Sequence, residues 1–186
     1  MRLSLLAAAL LLSSCGGAPE PAAVATAGPA PAAPAAKSAA AVPALAEAGG
    51  IDASRAMLAA YIDAMNRHDG AAATSYFAED VTIFDSLVGK VLQGRAEAGD
   101  KVVGMYLRAV PDGHWELRNE PIVSASGFSY EWKLTGVNLG NWTSYLRGRG
   151  QKIDFKGISI VRLKDGKIVY QANYFDATAL GQQAGW

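Results

Sequence analysis

The spacing of hydrophobic and polar positions changes character about two-thirds of the way along the chain. Leu58, Tyr61, Ile62 and Met65 recur at i, i+3, i+4 and i+7, which is one face of an α-helix. Asp52 and Ser54 are candidate caps for its start, and Asp69-Gly70 marks its stop. A short alanine-rich helix follows and is expected to end near Phe77. Residues 81–84 are β-branched and aromatic and predict a short strand ending by Asp85. Gly94-Arg95 opens another helix, carried through Val102, Met105, Tyr106 and Ala109 and broken by Pro111-Asp112-Gly113. Beyond that break strands dominate, predicted over 115–123, 127–137, 153–163 and 168–175. Lys164-Asp165-Gly166-Lys167 joins the last two as a hairpin. Helices first and an antiparallel meander after them is the order of an α+β fold. An amphipathic helix set against a strongly bent sheet leaves a cone with one open end, and aromatic side chains can line it.

The first 49 residues follow a different logic. Met1-Arg2 is a short positive start, residues 3–12 are apolar, and Ser13-Ser14-Cys15 follows. Ten residues rise only about 15 Å as a helix, half of a bilayer core of roughly 30 Å. This is the core of an export signal rather than a membrane span. Cys15 is the only cysteine, so no disulfide can form within one chain. An unpaired thiol in an exported protein needs an explanation. Leu12-Ser13-Ser14-Cys15 resembles the bacterial lipobox, an aliphatic residue and two small residues before the acceptor cysteine. That resemblance implies a diacylglyceryl group on Cys15 and a lipid-anchored protein of the cell envelope. An ordinary signal peptide with an incidental cysteine is the alternative. Gly16 in place of an aspartate implies, by resemblance to enterobacterial sorting, the periplasmic side of the outer membrane. Residues 16–49 are almost entirely Ala, Pro and Gly and read as a disordered linker with polyproline character. At ~3.1 Å per residue it reaches on the order of 100 Å. Residues 50–186 contain every aromatic residue and nearly all the charge, and suit one domain with one core.

Charge and histidine content narrow the chemistry. Seventeen basic and 17 acidic residues give a formal net charge of zero, with no strongly basic stretch. Nucleic acid is therefore not an expected partner. Two separated histidines, His68 and His114, and no cysteine pair give no zinc site. Gly89-Lys90 lacks the spacing of a phosphate-binding loop. No metal and no cofactor are expected.

The order of elements, with several short motifs, resembles the nuclear transport factor 2-like superfamily, and within it the SnoaL-like polyketide cyclases and the ketosteroid isomerases. The motifs are Tyr61-Ile62-Asp63-Ala64-Met65-Asn66-Arg67-His68-Asp69, Phe77-Ala78-Glu79-Asp80-Val81 and Val110-Pro111-Asp112. Toward the C-terminus come Phe155-Lys156-Gly157-Ile158-Ser159-Ile160-Val161-Arg162, Asp165-Gly166-Lys167-Ile168 and Tyr174-Phe175-Asp176. The resemblance spans roughly 55–183. It implies a cone-shaped α+β domain, a strongly bent antiparallel sheet wrapped on N-terminal helices. It also implies homodimers through the outer sheet face. It fixes no single activity, because one shell hosts many functions.

Two sub-family patterns imply different site residues. In the ketosteroid isomerase pattern, Tyr61 falls at the place of the tyrosine that donates to a developing enolate oxygen. Asp85 falls at the place of the base. That enzyme is a worked case of pKa tuning. Ser159 stands where the second oxyanion acid would be, and a hydroxyl donates more weakly than a neutral carboxylic acid. In the SnoaL-like pattern, an aspartate near the end of the last strand is the acid/base, and Asp176 falls there. Strand alternation puts Gln171, Asn173 and Phe175 on one face and Asp176 on the other, unless a bulge re-aims it. Each residue also has a purely structural reading: Tyr61 as a core tyrosine, Asp85 as a turn cap, Asp176 as a helix N-cap. Phe128, Tyr130 and Trp132 alternate on one strand face, and Phe84, Tyr130, Trp132, Asn173 and Phe175 are candidate contacts for a flat apolar ligand. Two functions remain open: a tethered cup that binds a small hydrophobic molecule, or an acid/base enzyme (isomerase, cyclase or hydrolase-like) on a small carbonyl compound.

Overall fold

In the computed structural model the described residues are 50–185. Cys15, the export signal and the linker lie outside them. Helix α1 (Gly50–Asn66) buries Ser54, Leu58, Tyr61, Ala64 and Met65, the stripe set by its apolar spacing, with Ile62 half-buried at its edge. His68, at φ 56°, turns the chain out of the helix. Helix α2 (Gly70–Ser75) is N-capped by Asp69, whose side chain accepts from Ala72 N at 2.9 Å. The chain then enters β1 (Phe77–Asp85) four residues before the predicted strand start.

The helix expected from Gly94 onward is present without interruption over residues 95–109, with a change of pitch in its middle. It runs as α3 (Arg95–Ala98), a π-helical turn (Gly99–Gly104) and α4 (Met105–Ala109). A short strand, β2 (Val91–Gln93), precedes it and had no signal of its own. The strand predicted over 115–123 is two strands, β3 (His114–Leu117) and β4 (Ile122–Ser124). Both pair with β5 (Gly127–Asn138). Pro121 stands between them, and its missing N–H cannot continue a ladder. Strands β6 (Gln151–Lys164) and β7 (Lys167–Phe175) are joined through Asp165 and Gly166, both at positive φ (49° and 69°). Two consecutive positive-φ residues are what a two-residue hairpin turn requires. Helix α5 (Ala177–Gln183) closes the fold.

The strands form one sheet in the order β2-β1-β7-β6-β5-β3, with β4 beside β5. The meander is antiparallel as expected, but β1 joins β7 in parallel. The sheet is bent and unclosed, and the helices cover its inner face, so the architecture is the predicted α+β cone. Its register sets up the site. Asp85 pairs with Asn173, Asn173 with Ser159, and Ser159 with Tyr130. These four residues make one transverse row across β1, β7, β6 and β5. All four are buried. On the opposite face Ile158, Ile160 and Tyr174 are partly exposed. Among the described residues no helix is long and apolar enough to cross a membrane.

Candidate functional site

The transverse row is polar inside an otherwise apolar core, and each member must find a partner. Asp85 is fully buried. Its Oδ2 accepts from Tyr106 Oη at 3.0 Å and from Asn173 Nδ2 at 3.1 Å, and its Oδ1 accepts from Leu87 N at 3.0 Å. Burial pushes its carboxyl above the usual range, and the hydrogen bonds from Asn173, Leu87, Tyr106 and the Val88 backbone only partly offset this. Asn173 Oδ1 accepts from Ser159 Oγ at 2.8 Å and from Gln171 Nε2 at 2.9 Å. Ser159 Oγ in turn accepts from Trp132 Nε1 at 2.9 Å. Gln171 Nε2 also reaches Tyr61 Oη at 3.5 Å. Two amides thus link the Tyr61 hydroxyl to the Asp85 carboxylate.

The network borders a cavity of about 30 Å³, room for one or two water-sized groups. Its apolar wall is Ile62, Met65, Val102, Val103 and Trp115, and its mixed wall is Tyr61, Tyr106, Tyr130, Trp132, Ser159, Gln171 and Asn173. Val102 and Val103 sit on the π-helical turn, and such turns recur at functional sites. Burial drives the tyrosines toward the neutral form. Tyr61 is pushed up to about 12, and Tyr106 and Tyr130 are raised further by burial and neighbouring charge or hydroxyl groups. They are therefore hydrogen-bond donors, not phenolates, at neutral pH. Gln171 Oε1 is buried and has no hydrogen-bond partner.

The structure brings together Tyr61, Tyr130, Trp132, Ser159 and Asn173 around this space. Asp85 stands one layer back, behind Tyr106 and Asn173. Three predicted residues are elsewhere. Phe84 follows the opposite face of β1 from Asp85, as strand alternation demands, and packs on Tyr174 at 5.3 Å between ring centroids. Phe175 packs on Phe155 (5.3 Å) and Trp132 (5.9 Å), supporting the aromatic wall from behind. Asp176 is exposed and caps α5, accepting from Ala179 N at 2.9 Å. No bulge re-aims it inward.

Tyr106 and Gln171 carry much of the site's polarity, and no motif in the sequence marks either for a role. Tyr106 sat in a helical run without chemical context. Gln171 could be placed on the Asn173 face by alternation alone. Trp142, edge-on to Tyr106 at 5.3 Å and donating to Asn138 Oδ1 at 3.0 Å, backs Tyr106 from a loop whose path the sequence does not dictate. Among the described residues no cluster of His, Cys, Asp or Glu could hold a metal ion.

Residues 58–171 match the family model described as SnoaL-like domain. Solved structures share the fold. A candidate SnoaL-like polyketide cyclase from Jannaschia sp. CCS1 is 14% identical with a TM-score of 0.64, over 74% of this chain and 94% of its own. AclR, a candidate hydroxylase from Streptomyces galilaeus, is 18% identical with a TM-score of 0.62, over 73% of this chain and 97% of its own. A protein with a ketosteroid isomerase-like fold from Catenulispora acidiphila, solved with trimethylamine, is 16% identical with a TM-score of 0.57, over 69% of this chain and 92% of its own. No curated protein sequence matches the chain.

Proposed function

The chain belongs to the SnoaL-like domain family, and from that premise we propose that its domain is a cup that binds a small hydrophobic molecule. The observation that carries this reading is the division of labour around the cavity. Aliphatic and aromatic side chains supply most of its wall, and the nearby carboxylate of Asp85 is spent on Tyr106, Asn173 and Leu87. Apolar walls with a few placed polar groups suit ligand capture. A ligand of six or seven heavy atoms requires wall side chains to move. Met65, unbranched and adaptable, and the valines of the π-helical turn are the groups that would yield. Titration with methylcyclohexane tests the reading. Met65→Phe, which fills the cavity with an apolar group, lowers affinity at least tenfold without loss of the cooperative melt. Equal affinity in the two proteins would contradict it.

A second reading rests on one specific observation, the complete burial of the Asp85 carboxyl behind the cavity-lining Tyr106 and Asn173, which favours its protonated form. A carboxylate of that kind suits proton transfer on a small carbonyl compound, with Tyr61 as donor and Ser159 assisting. Such an enzyme would lose turnover in Asp85→Asn. Ligand binding without turnover would survive that change. A lipid on Cys15 would hold the cup at the envelope membrane. The lone cysteine after a ten-residue apolar run supports this tether.

A further inference from the structure

We propose that the cavity selects ligands that present a hydroxyl group, and that Gln171 is the residue that makes the selection. The proposal rests on the binding reading above and specifies the chemistry of what is bound. It follows from the direction of the hydrogen bonds. An indole N–H only donates, so the Trp132 end of the network is fixed. Asn173 presents Nδ2 to Asp85 and Oδ1 to the other side. Trp132 Nε1 occupies Ser159 Oγ as an acceptor, and the Ser159 hydroxyl hydrogen goes to Asn173 Oδ1. Gln171 must then also present Nε2 to Asn173 Oδ1, because the reversed amide would set two carbonyl oxygens against each other. Its Oε1 is left over, buried and without a partner, on a residue that lines the cavity.

Beside it, the Tyr61 oxygen accepts the longer Gln171 Nε2 contact, so its own hydrogen remains to be donated. The pair offers one acceptor, Gln171 Oε1, and one donor, the Tyr61 hydroxyl. An alcohol or enol matches both with a single oxygen, donating to Gln171 and accepting from Tyr61. A ketone satisfies only Tyr61 and leaves Oε1 as it is in the free protein, buried and unpaired, whereas the alcohol's O–H gives it the missing donor and gains that hydrogen bond. Polarity imposed at Trp132 is thus transmitted through Ser159 and Asn173 to the ligand.

The test compares cyclohexanol, cyclohexanone and methylcyclohexane, which share one size and differ in a single group. Dissociation constants are measured by NMR titration of the intact domain. Cyclohexanol is expected to bind about tenfold or more tightly than cyclohexanone. In Gln171→Met that ratio is expected to fall to about one. Equal binding of alcohol and ketone by the unsubstituted protein would overturn the hydroxyl selection and leave the binding cup standing. Tighter ketone binding would do the same. Saturable binding by none of the three would overturn both. The ratio within the unsubstituted protein needs no variant to fold, so the proposal stays falsifiable whatever Gln171→Met does to stability.

Discussion

The carboxyl of Asp85 is held between opposing influences, and the balance has measurable consequences. Burial favours its neutral form and hydrogen bonds from Asn173, Tyr106 and the backbone of Leu87 and Val88 favour the ion, with burial the larger. The folded protein therefore binds this proton more tightly than the unfolded chain, whose carboxyl keeps the ordinary value of 3.8. The resulting contribution to stability is full below about pH 4 and is lost as pH rises through the raised folded value. Denaturant titrations carried upward from pH 4 should show this fall in the unsubstituted protein and a flatter profile in Asp85→Asn, the difference isolating Asp85. Tyr106→Phe deletes one of the two donors on Oδ2. It should raise the Asp85 pKa further, read by carboxyl-carbon NMR, and cost about 1–3 kcal/mol in chemical denaturation. Much at this scale was legible in the sequence. Tyr61, Asp85 and Ser159 could be singled out by family pattern, and alternation alone aligned Asn173 with Gln171. Phe84 and Asp85 could not both face inward on one strand. The burial of the aspartate decides which does. Tyr106 was not legible, because its role depends on a long-range meeting of α4 with the end of β1.

At the scale of elements, the site is a product of register. The row Asp85–Asn173–Ser159–Tyr130 exists because four strands align at one level, and a one-residue slip would turn every member to the other face. Gly157 pairs with Trp132 on β5, and a β-carbon there would clash with the indole ring. Gly157→Ala should displace Trp132 from Ser159, cost about 1–3 kcal/mol by overpacking and weaken ligand binding, which calorimetry and titration would read separately. Asp176→Ala removes the N-cap of α5. It should cost about 1 kcal/mol while leaving ligand affinity unchanged. A loss of affinity would return Asp176 to the site. The strongly periodic elements, α1 and the β6–β7 hairpin, could be read from spacing and turn residues. The π-helical turn and β2 could not. The π-helical turn packs on α2 and β2 pairs with β1, contacts that carry no local signature, and Pro121 divides the strand expected over 115–123 into β3 and β4.

At the scale of the whole molecule, one shell carries proteins named as cyclase, hydroxylase and isomerase-like, so function is set by the site and not by the fold. The lipid tether is a separate proposal with a separate check. Cys15→Ala should move the protein from the membrane to the soluble fraction and abolish incorporation of labelled palmitate, leaving the domain's melting curve unchanged. The central claim is that the cavity beside the buried polar row is a ligand site. Its most direct measurement is the set of intermolecular nuclear Overhauser effects between bound cyclohexanol and the protein's methyl groups. Effects to Met65, Val102 and Val103 are predicted. Saturable binding whose effects fall only on the outer-face residues Ile158 and Ile160 would contradict it.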